Sequence, residues 1–308
     1  MPTDPDPIDF AVRYAAFRFL ETELEKAGEE TLRFDVLRKG FDFRGSRVPL
    51  LGPQGIFKPA VLPHLPLTIA TAPPRPGKDA PYDDIVGPDG LLGYRYRGTD
   101  PAHRDNVGLR DAMQRQTPLI YLKGIVPGRY LPAWPAYVVG DDPARLTFSV
   151  AIDEEVAVMP AGVPDRVAEI RRAYVTVQTL RRVHQQRFRE RVLLAYRECC
   201  AICRLRHREL LDATHILPDR HPAGEPRVSN GLALCKLHHA AFDRNIIGIR
   251  PDLRIEIRLD VLAETDGPML RHGLQGFQGS VLLTPGREED RPDPTCLAER
   301  YEEFRRAG

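Results

Sequence analysis

The sequence predicts an α+β protein built as two domains joined by a helical segment, and three observations carry that reading. Residues 40–150 are rich in Pro and Gly and hold short apolar runs, the pattern of a strand-dominated domain. Residues 164–196 lose glycine and turn to helical periodicity. Beyond them, four of the five cysteines crowd between Cys199 and Cys235, among histidines. A chain of 308 residues exceeds what one small core usually organises, so two domains are the natural division. The expected boundaries are residues 1–163 for the first domain, 164–196 for a basic helical linker and 197–308 for the second domain.

Taken in order, Phe10 to Lys26 repeats its apolar residues at helical spacing, and a second short periodic stretch from Thr31 to Leu37 follows the break at Gly28. An N-terminal helical hairpin is expected. The runs "PLTIA", "TPLIYLKGI", "AYVVG" and "RLTFSVAI" read as strands of a compact, mostly β domain. From Pro164 to Tyr196 the helical pattern starts behind a proline suited to a first turn and carries Arg171, Arg172, Arg181, Arg182, Arg187, Arg189 and Arg191. Such a face serves either solvation or the tracking of phosphates. After Asp252 come a short mixed stretch, a Pro-rich tail and a final helical "CLAERYEEFRRA", expected to pack on the second domain.

Composition bounds the function less than the motifs do. Hydrophobic residues make up 42% and charged residues 28%, as in ordinary globular proteins. The 44 basic and 43 acidic residues leave a net charge of +1, so total charge identifies no partner. No apolar run approaches the ~18 residues of a membrane span, and "MPTDPDPIDF" has neither a basic n-region nor an apolar h-region. A cytoplasmic protein is expected. Five cysteines are too few and too clustered for a secreted disulfide framework, and in a reducing compartment such clustering favours a metal.

Cys200 and Cys203 are separated by two residues, and Cys235 and His238 repeat that spacing 32 positions after Cys203. Two such knuckles can close a tetrahedral site of three sulfurs and one nitrogen around a structural Zn²⁺. Cys199 could stand in for Cys200, but the two-residue gap favours Cys200, and Cys296 reads as a small core residue. A second set is interleaved with this one: His215, Asn230, His239 and Asp243. His239 and Asp243, four apart on a helix, share a face and suit a hard divalent cation. His238 and His239 point to different faces, so the two histidines can serve two metals. His207 and His221 read as exposed loop residues, and His184 and His272 have no evident partners in the sequence.

"DATHI", then Asn230-Gly231-Leu232-Ala233-Leu234-Cys235, His238-His239 and Phe242-Asp243 resemble the HNH (ββα-metal) nuclease motif in its zinc-knuckle form. By that resemblance His215 is the general base that activates water against a phosphodiester. Asn230 holds the loop that carries the imidazole, and His239 with Asp243 binds Mg²⁺ or another hard divalent ion. One departure is Thr214, where such enzymes commonly carry a further metal ligand; Asp212, two residues earlier, is the expected substitute.

In the first domain, Ala80 to Gly98 resembles the SRA (YDG-type) domain of the PUA superfamily, a twisted β-barrel with flanking helices. The match rests on Tyr82-Asp83-Asp84, on Tyr94-x-Tyr96-x-Gly98 and on the stretch from Asn106 to Val139. The resemblance implies a pocket for a modified cytosine flipped out of duplex DNA, with Tyr82 and Tyr94 or Tyr96 stacking on the base and Asp83 or Asp84 accepting from its amine. Together the two halves resemble SRA-HNH modification-dependent restriction endonucleases, which implies a homodimer that cuts double-stranded DNA bearing 5-methylcytosine or 5-hydroxymethylcytosine. Two other readings stay open: a nuclease targeted to phosphorothioate or unmodified sequence, and a binding-only module on a degenerate HNH zinc scaffold.

Overall fold

The computed structural model describes residues 7–73, 91–152, 182–219, 221–265 and 267–307. The chain divides into two compact units, Met1–Gln186 and Arg187–Gly308. The division falls inside the stretch expected to be a linker. Its last turns, helix α4 (residues 182–195), bury Phe188, Val192 and Leu193 in the core of the second unit.

The first unit opens with α1 (Pro7–Ala27), followed by the short β1 (Leu32–Arg33) and α2 (Phe34–Lys39). A small hairpin of β2 (Phe41–Phe43) and β3 (Ser46–Val48) comes next. Gly40 makes the turn into it with φ 60° and ψ −152°, a conformation reserved for glycine, and any Cβ there would lie 1.9 Å from the Val48 carbonyl oxygen.

A seven-stranded mixed sheet forms the body of this unit. Its order is β4 (Ile56–Phe57), β5 (Thr68–Thr71), β7 (Leu119–Val126), β8 (Arg129–Asp142), β9 (Thr147–Ile152) and β6 (Leu92–Arg95), with β1 pairing onto β8. All pairings are antiparallel except β5 with β7. The sheet curls into a half-barrel, aided by register shifts in β7–β8 and β8–β9. Among the described residues β4 and β6 are not paired with each other, so of the twisted β-barrel expected from the sequence a half-barrel is described.

Strand β7 is buried along its whole length because both faces are covered. Leu119 and Tyr121 point into one core with Leu109 of α3 (Arg104–Gln114) and Phe148. Ile120 and Leu122 point into the other, with Val12, Ala16 and Leu20 of α1. The period-2 alternation of one strand thus divides the unit into its two cores. Arg13 ties α1 to the sheet: with its side chain 3% exposed, it pairs with Asp9 and donates from Nη1 to the carbonyls of Pro66 (3.0 Å) and Pro118 (2.9 Å).

The second unit is built on an antiparallel pair, β10 (Leu211–His215) and β11 (Gly231–Cys235), followed by α5 (Lys236–Asp243). The hairpin of β12 (Ile247–Ile249) and β13 (Ile255–Ile257), the short helices α6 (Leu259–Ala263) and α7 (Pro268–Gly273), and the terminal α8 (Pro294–Ala307) complete it. Leu297 and Phe304 bury α8 against the unit, as the tail's helical pattern predicts. Among the described residues no helix is long and apolar enough to cross a membrane.

Replacing Arg13 would leave Asp9, the buried Pro66 carbonyl and the half-buried Pro118 carbonyl without their cation. Arg13→Leu is expected to lower the unfolding free energy of the chain by about 3 kcal/mol, measured by denaturant titration.

Candidate active site

The Cys-His cluster assembles as the spacing predicts. The ligand atoms of Cys200, Cys203, Cys235 and His238 lie within 4.8 Å of one another. His238 Nδ1 is 3.5 Å from Cys200 Sγ and 3.2 Å from Cys235 Sγ, and the Sγ atoms of Cys203 and Cys235 are 3.9 Å apart. A tetrahedral zinc with bonds of ~2.3 Å to sulfur and ~2.0 Å to nitrogen demands edges of about 3.5–3.8 Å, so the four atoms fit one ion. The other ring nitrogen, Nε2, lies 2.9 Å from the Gly273 carbonyl, an acceptor that fixes the ring with Nδ1 toward the sulfurs. Cys199 faces away from the cluster, its Sγ against the Cys200 carbonyl, and Cys296 is buried in the core.

The β10–β11 register sets the rest of the site. Leu211 pairs with Cys235 at one end and His215 with Gly231 at the other. Ala213 and His215 on one face of β10 line a cavity of about 480 Å³ together with His239 and Asp243 of α5, Asp219, and Arg300 and Glu303 of α8. Burial holds the pKa of His215 below the ordinary histidine value, against an upward pull from Asp219. Asp219 Oδ1 comes within 2.9 Å of His215 Nε2. The approach lacks hydrogen-bond alignment, and Nε2 is buried without a hydrogen-bond partner among the described residues.

Asn230 is fully buried and clamps the loop behind His215. Its Oδ1 accepts from the Leu217 amide (2.9 Å), and its Nδ2 donates to the carbonyls of Leu217 (2.9 Å) and Glu225 (3.1 Å). Every polar atom of the side chain is occupied by backbone, so Asn230 shapes the loop and leaves nothing for a substrate.

His239 lies between two carboxylates. Asp212 Oδ2 is 3.3 Å from Nδ1, and Asp243 Oδ2 is 3.2 Å from Nε2 on the opposite edge of the ring. The hydrogen bond with Asp212 raises the His239 pKa above its ordinary value and lowers that of Asp212. Only Asp243 shares the cavity with His215; Asp212 sits outside its lining. Because one cation cannot use both ring nitrogens, Asp212 and Asp243 do not converge on a common point. The spacing of 3.2 Å between His239 Nε2 and Asp243 Oδ2 matches the ~3 Å edge of an octahedral hard-cation shell. Thr214 points away from the cavity and is buried, its hydroxyl unpartnered among the described residues.

Two contributors escape any reading of motifs. Phe188 of α4 stacks on His215, with ring centroids 3.9 Å apart and planes 9° from parallel. Arg300 of α8, 7% exposed, donates from Nη2 to the Phe242 carbonyl, bonds Asn245 through Nη1 and lies over the Phe242 ring. It thereby fastens the last turn of α5, where Asp243 sits. Other histidines stay apart: His184, His207 and His272 are exposed, and His221 pairs with Glu299 at 2.9 Å. The basic face of α4 is partly structural, since Arg189 donates to the Leu211 carbonyl (2.8 Å).

The expected base pocket fares differently. Tyr82, Asp83 and Asp84 lie outside the described residues. Tyr94 and Tyr96 are core residues, which corrects the expectation that they stack on a base. Tyr94 is 7% exposed and donates to the Ala70 carbonyl; Tyr96 is 4% exposed, stacks on Phe148 at 4.5 Å and bonds Asp141. Among the described residues the first unit has a cavity elsewhere, about 1100 Å³ beside α1, with Phe10, Tyr14, Phe17, Trp134 and Tyr137 in its lining.

Gly231 leaves no room for a side chain. A Cβ there would lie 2.5 Å from Val192 Cγ2 and 2.9 Å from Phe188 Cζ. Gly231→Ala is expected to cost about 1–3 kcal/mol of stability through overpacking, read as a lowered thermal midpoint.

Residues 200–250 match the model of a family described as HNH endonuclease. No curated protein matches the chain in sequence. Among solved structures, a protein described as "Modification dependent TagI restriction endonuclease" is similar at 16% identity over 78% of this chain and 82% of that chain, with a TM-score of 0.30, too distant a likeness to bear on function. The matched segment runs from Cys200 through β10, β11 and α5 to the end of β12 and so spans both the Cys-His cluster and the His215 cavity. The second unit carries an HNH endonuclease domain, and with it the chain is a DNA-cleaving hydrolase.

Proposed function

We propose that the protein is a modification-dependent endonuclease in which His215 is the general base and the first unit reads a modified cytosine in double-stranded DNA. The observation that carries the nuclease half is the meeting of His215, His239 and Asp243 in one cavity on a strand-strand-helix frame. With its pKa held down by burial, His215 is uncharged near neutral pH and takes the proton of the attacking water as the phosphorus–oxygen bond to the leaving group breaks. His239 through Nε2 and Asp243 would hold a hard divalent ion, which when bound supplies positive charge to the phosphate oxygens as negative charge develops. Asp212 accepts from Nδ1–H and keeps Nε2 free for that role. Asn230 keeps the loop after His215 in shape, and Cys200, Cys203, Cys235 and His238 would hold a structural zinc, which when bound would tie α5 to β11.

The reading half is supported by the resemblance of residues 80–139 to base-flipping domains and by the aromatic cavity beside α1. Extruding a base costs a few kcal/mol, which stacking on aromatic faces offsets. Phe10, Tyr14 and Trp134 offer such faces in the first unit.

The test is cleavage of one plasmid in unmodified, cytosine-methylated and hydroxymethylated forms, with Mg²⁺ or with EDTA. Metal-dependent cutting restricted to the modified forms is expected; equal cutting of all three would discard the reading half alone. His215→Ala is expected to lose about 10²- to 10⁴-fold in rate while still binding DNA. The wild-type rate is expected to fall as the pH drops through the depressed His215 pKa, since protonation removes the base. Zinc analysis should give one ion per chain, and Cys203→Ala should lose that ion together with the cooperative unfolding of the second unit.

A further inference from the structure

We infer that Phe188, outside the matched HNH segment, is a positioning residue that sets the plane of the His215 imidazole for proton transfer. The inference rests on His215 as the base.

A general base works only when its ring is aimed, and a hydrogen bond to the second ring nitrogen is the common means of aiming it. Among the described residues that device is missing. Among the described residues no aligned hydrogen bond holds His215, and Asp219 approaches Nε2 at 2.9 Å without alignment. The stack takes its place. At 3.9 Å between centroids and 9° between planes, the Phe188 ring covers one whole face of the imidazole, so the ring cannot turn about its own bond without striking it. Phe188 is itself 4% exposed and held by the core of the second unit, which makes it a rigid backstop and not a mobile cover.

The strand partner of His215 makes the room for this contact. Gly231 stands opposite His215 in the register, and the space a Cβ would need is filled by Phe188 Cζ and Val192 Cγ2. Tyr196, one helical turn beyond Val192, donates its hydroxyl to the Gly231 carbonyl (3.3 Å) and holds that strand in place. The helix and the bare strand position therefore fit each other, and the product of the fit is a flat apolar wall behind the base. The opposite side of the imidazole is left to the cavity with His239, Asp243, Arg300 and Glu303.

The stack affects the ring's protonation in two opposed ways: it excludes water, which disfavours the imidazolium, and it offers a π face, which favours it. The decisive quantity is therefore the rate on the alkaline plateau, where His215 is neutral in every variant and orientation alone remains. Single-turnover cleavage with Mg²⁺ of the plasmid form that the wild type cuts fastest would compare Phe188→Leu, Leu193→Ala and His215→Ala, with DNA affinity measured separately. Phe188→Leu is expected to lose about 10- to 100-fold on the plateau with unchanged affinity, the scale of a displacement of roughly 1 Å at a reacting group. Leu193→Ala, a core loss from the same helix away from the ring, is expected to keep the wild-type plateau.

Equal plateaus for Phe188→Leu and Leu193→Ala, high or low, would overturn the positioning role. Wild-type cutting by His215→Ala would instead overturn the base assignment, so the two failures are told apart. The stack is also readable in the wild type without any variant that must fold. The His215 ring-proton resonances are expected upfield of ordinary histidine positions through the Phe188 ring current, and unshifted resonances would overturn the inference whatever the rates.

Discussion

The five-residue pairing of β10 with β11 is the constraint on which the second unit depends. One end places Cys235 in the Cys-His cluster, and the other places His215 opposite Gly231, about 13 Å along the strands at the usual rise per residue. A slip of one residue would reverse every side chain on the strand, turning His215 into the core and Thr214 out of it. The register is held at both ends. The cluster fastens one, and the backbone bonds of Asn230 together with the Ile216 amide to the Asn230 carbonyl (2.9 Å) fasten the other.

Helix α5 then converts one register into two sites. His238 and His239 are neighbours in sequence, yet a rotation of about 100° per residue sends His238 inward, 1% exposed, and His239 to the cavity. The cluster that fixes the start of α5 and the Arg300 contacts that fix its end leave Asp243 little freedom. Two buried arginines of this unit have specific partners: Arg208 bridges Glu190 and Glu198, and Arg300 reaches Asn245 and Glu303. Such groups cost stability when left unpaired, so they act as registry devices more than as sources of stability.

The first unit solves a different problem. Its sheet is covered on both faces, by α1 on one and α3 on the other, so β7 becomes a continuous buried run and the flanking strands supply the curl. The same burial withdraws Tyr94 and Tyr96 from any surface and gives their hydroxyls to internal partners. The aromatic residues left open, Phe10 and Tyr14 on α1, lie in a helix whose periodicity alone reads as amphipathic packing.

Much of the second unit is legible in the sequence, because metal ligands obey spacing rules that survive without tertiary context. The repeated two-residue gap of Cys200, Cys203, Cys235 and His238, and the i, i+4 pair of His239 and Asp243, are one-dimensional signals of local geometry. Strand runs such as "TPLIYLKGI" and the terminal helix are equally readable, since alternation and helical period are local too. What spacing does not encode is contact between distant segments. Tertiary structure alone decides that Asp212 takes the Nδ1 edge of His239 while Asp243 takes the Nε2 edge, that the tyrosines at 94 and 96 pack inward, and that the sheet stays a half-barrel among the described residues. It also brings Phe188 onto His215 and Arg300 onto α5 from residues that look, in one dimension, like any apolar or basic position on a helix. Spacing along the chain settles which ligands can meet; their edges, planes and backing come from packing, where partners are chosen by shape and register.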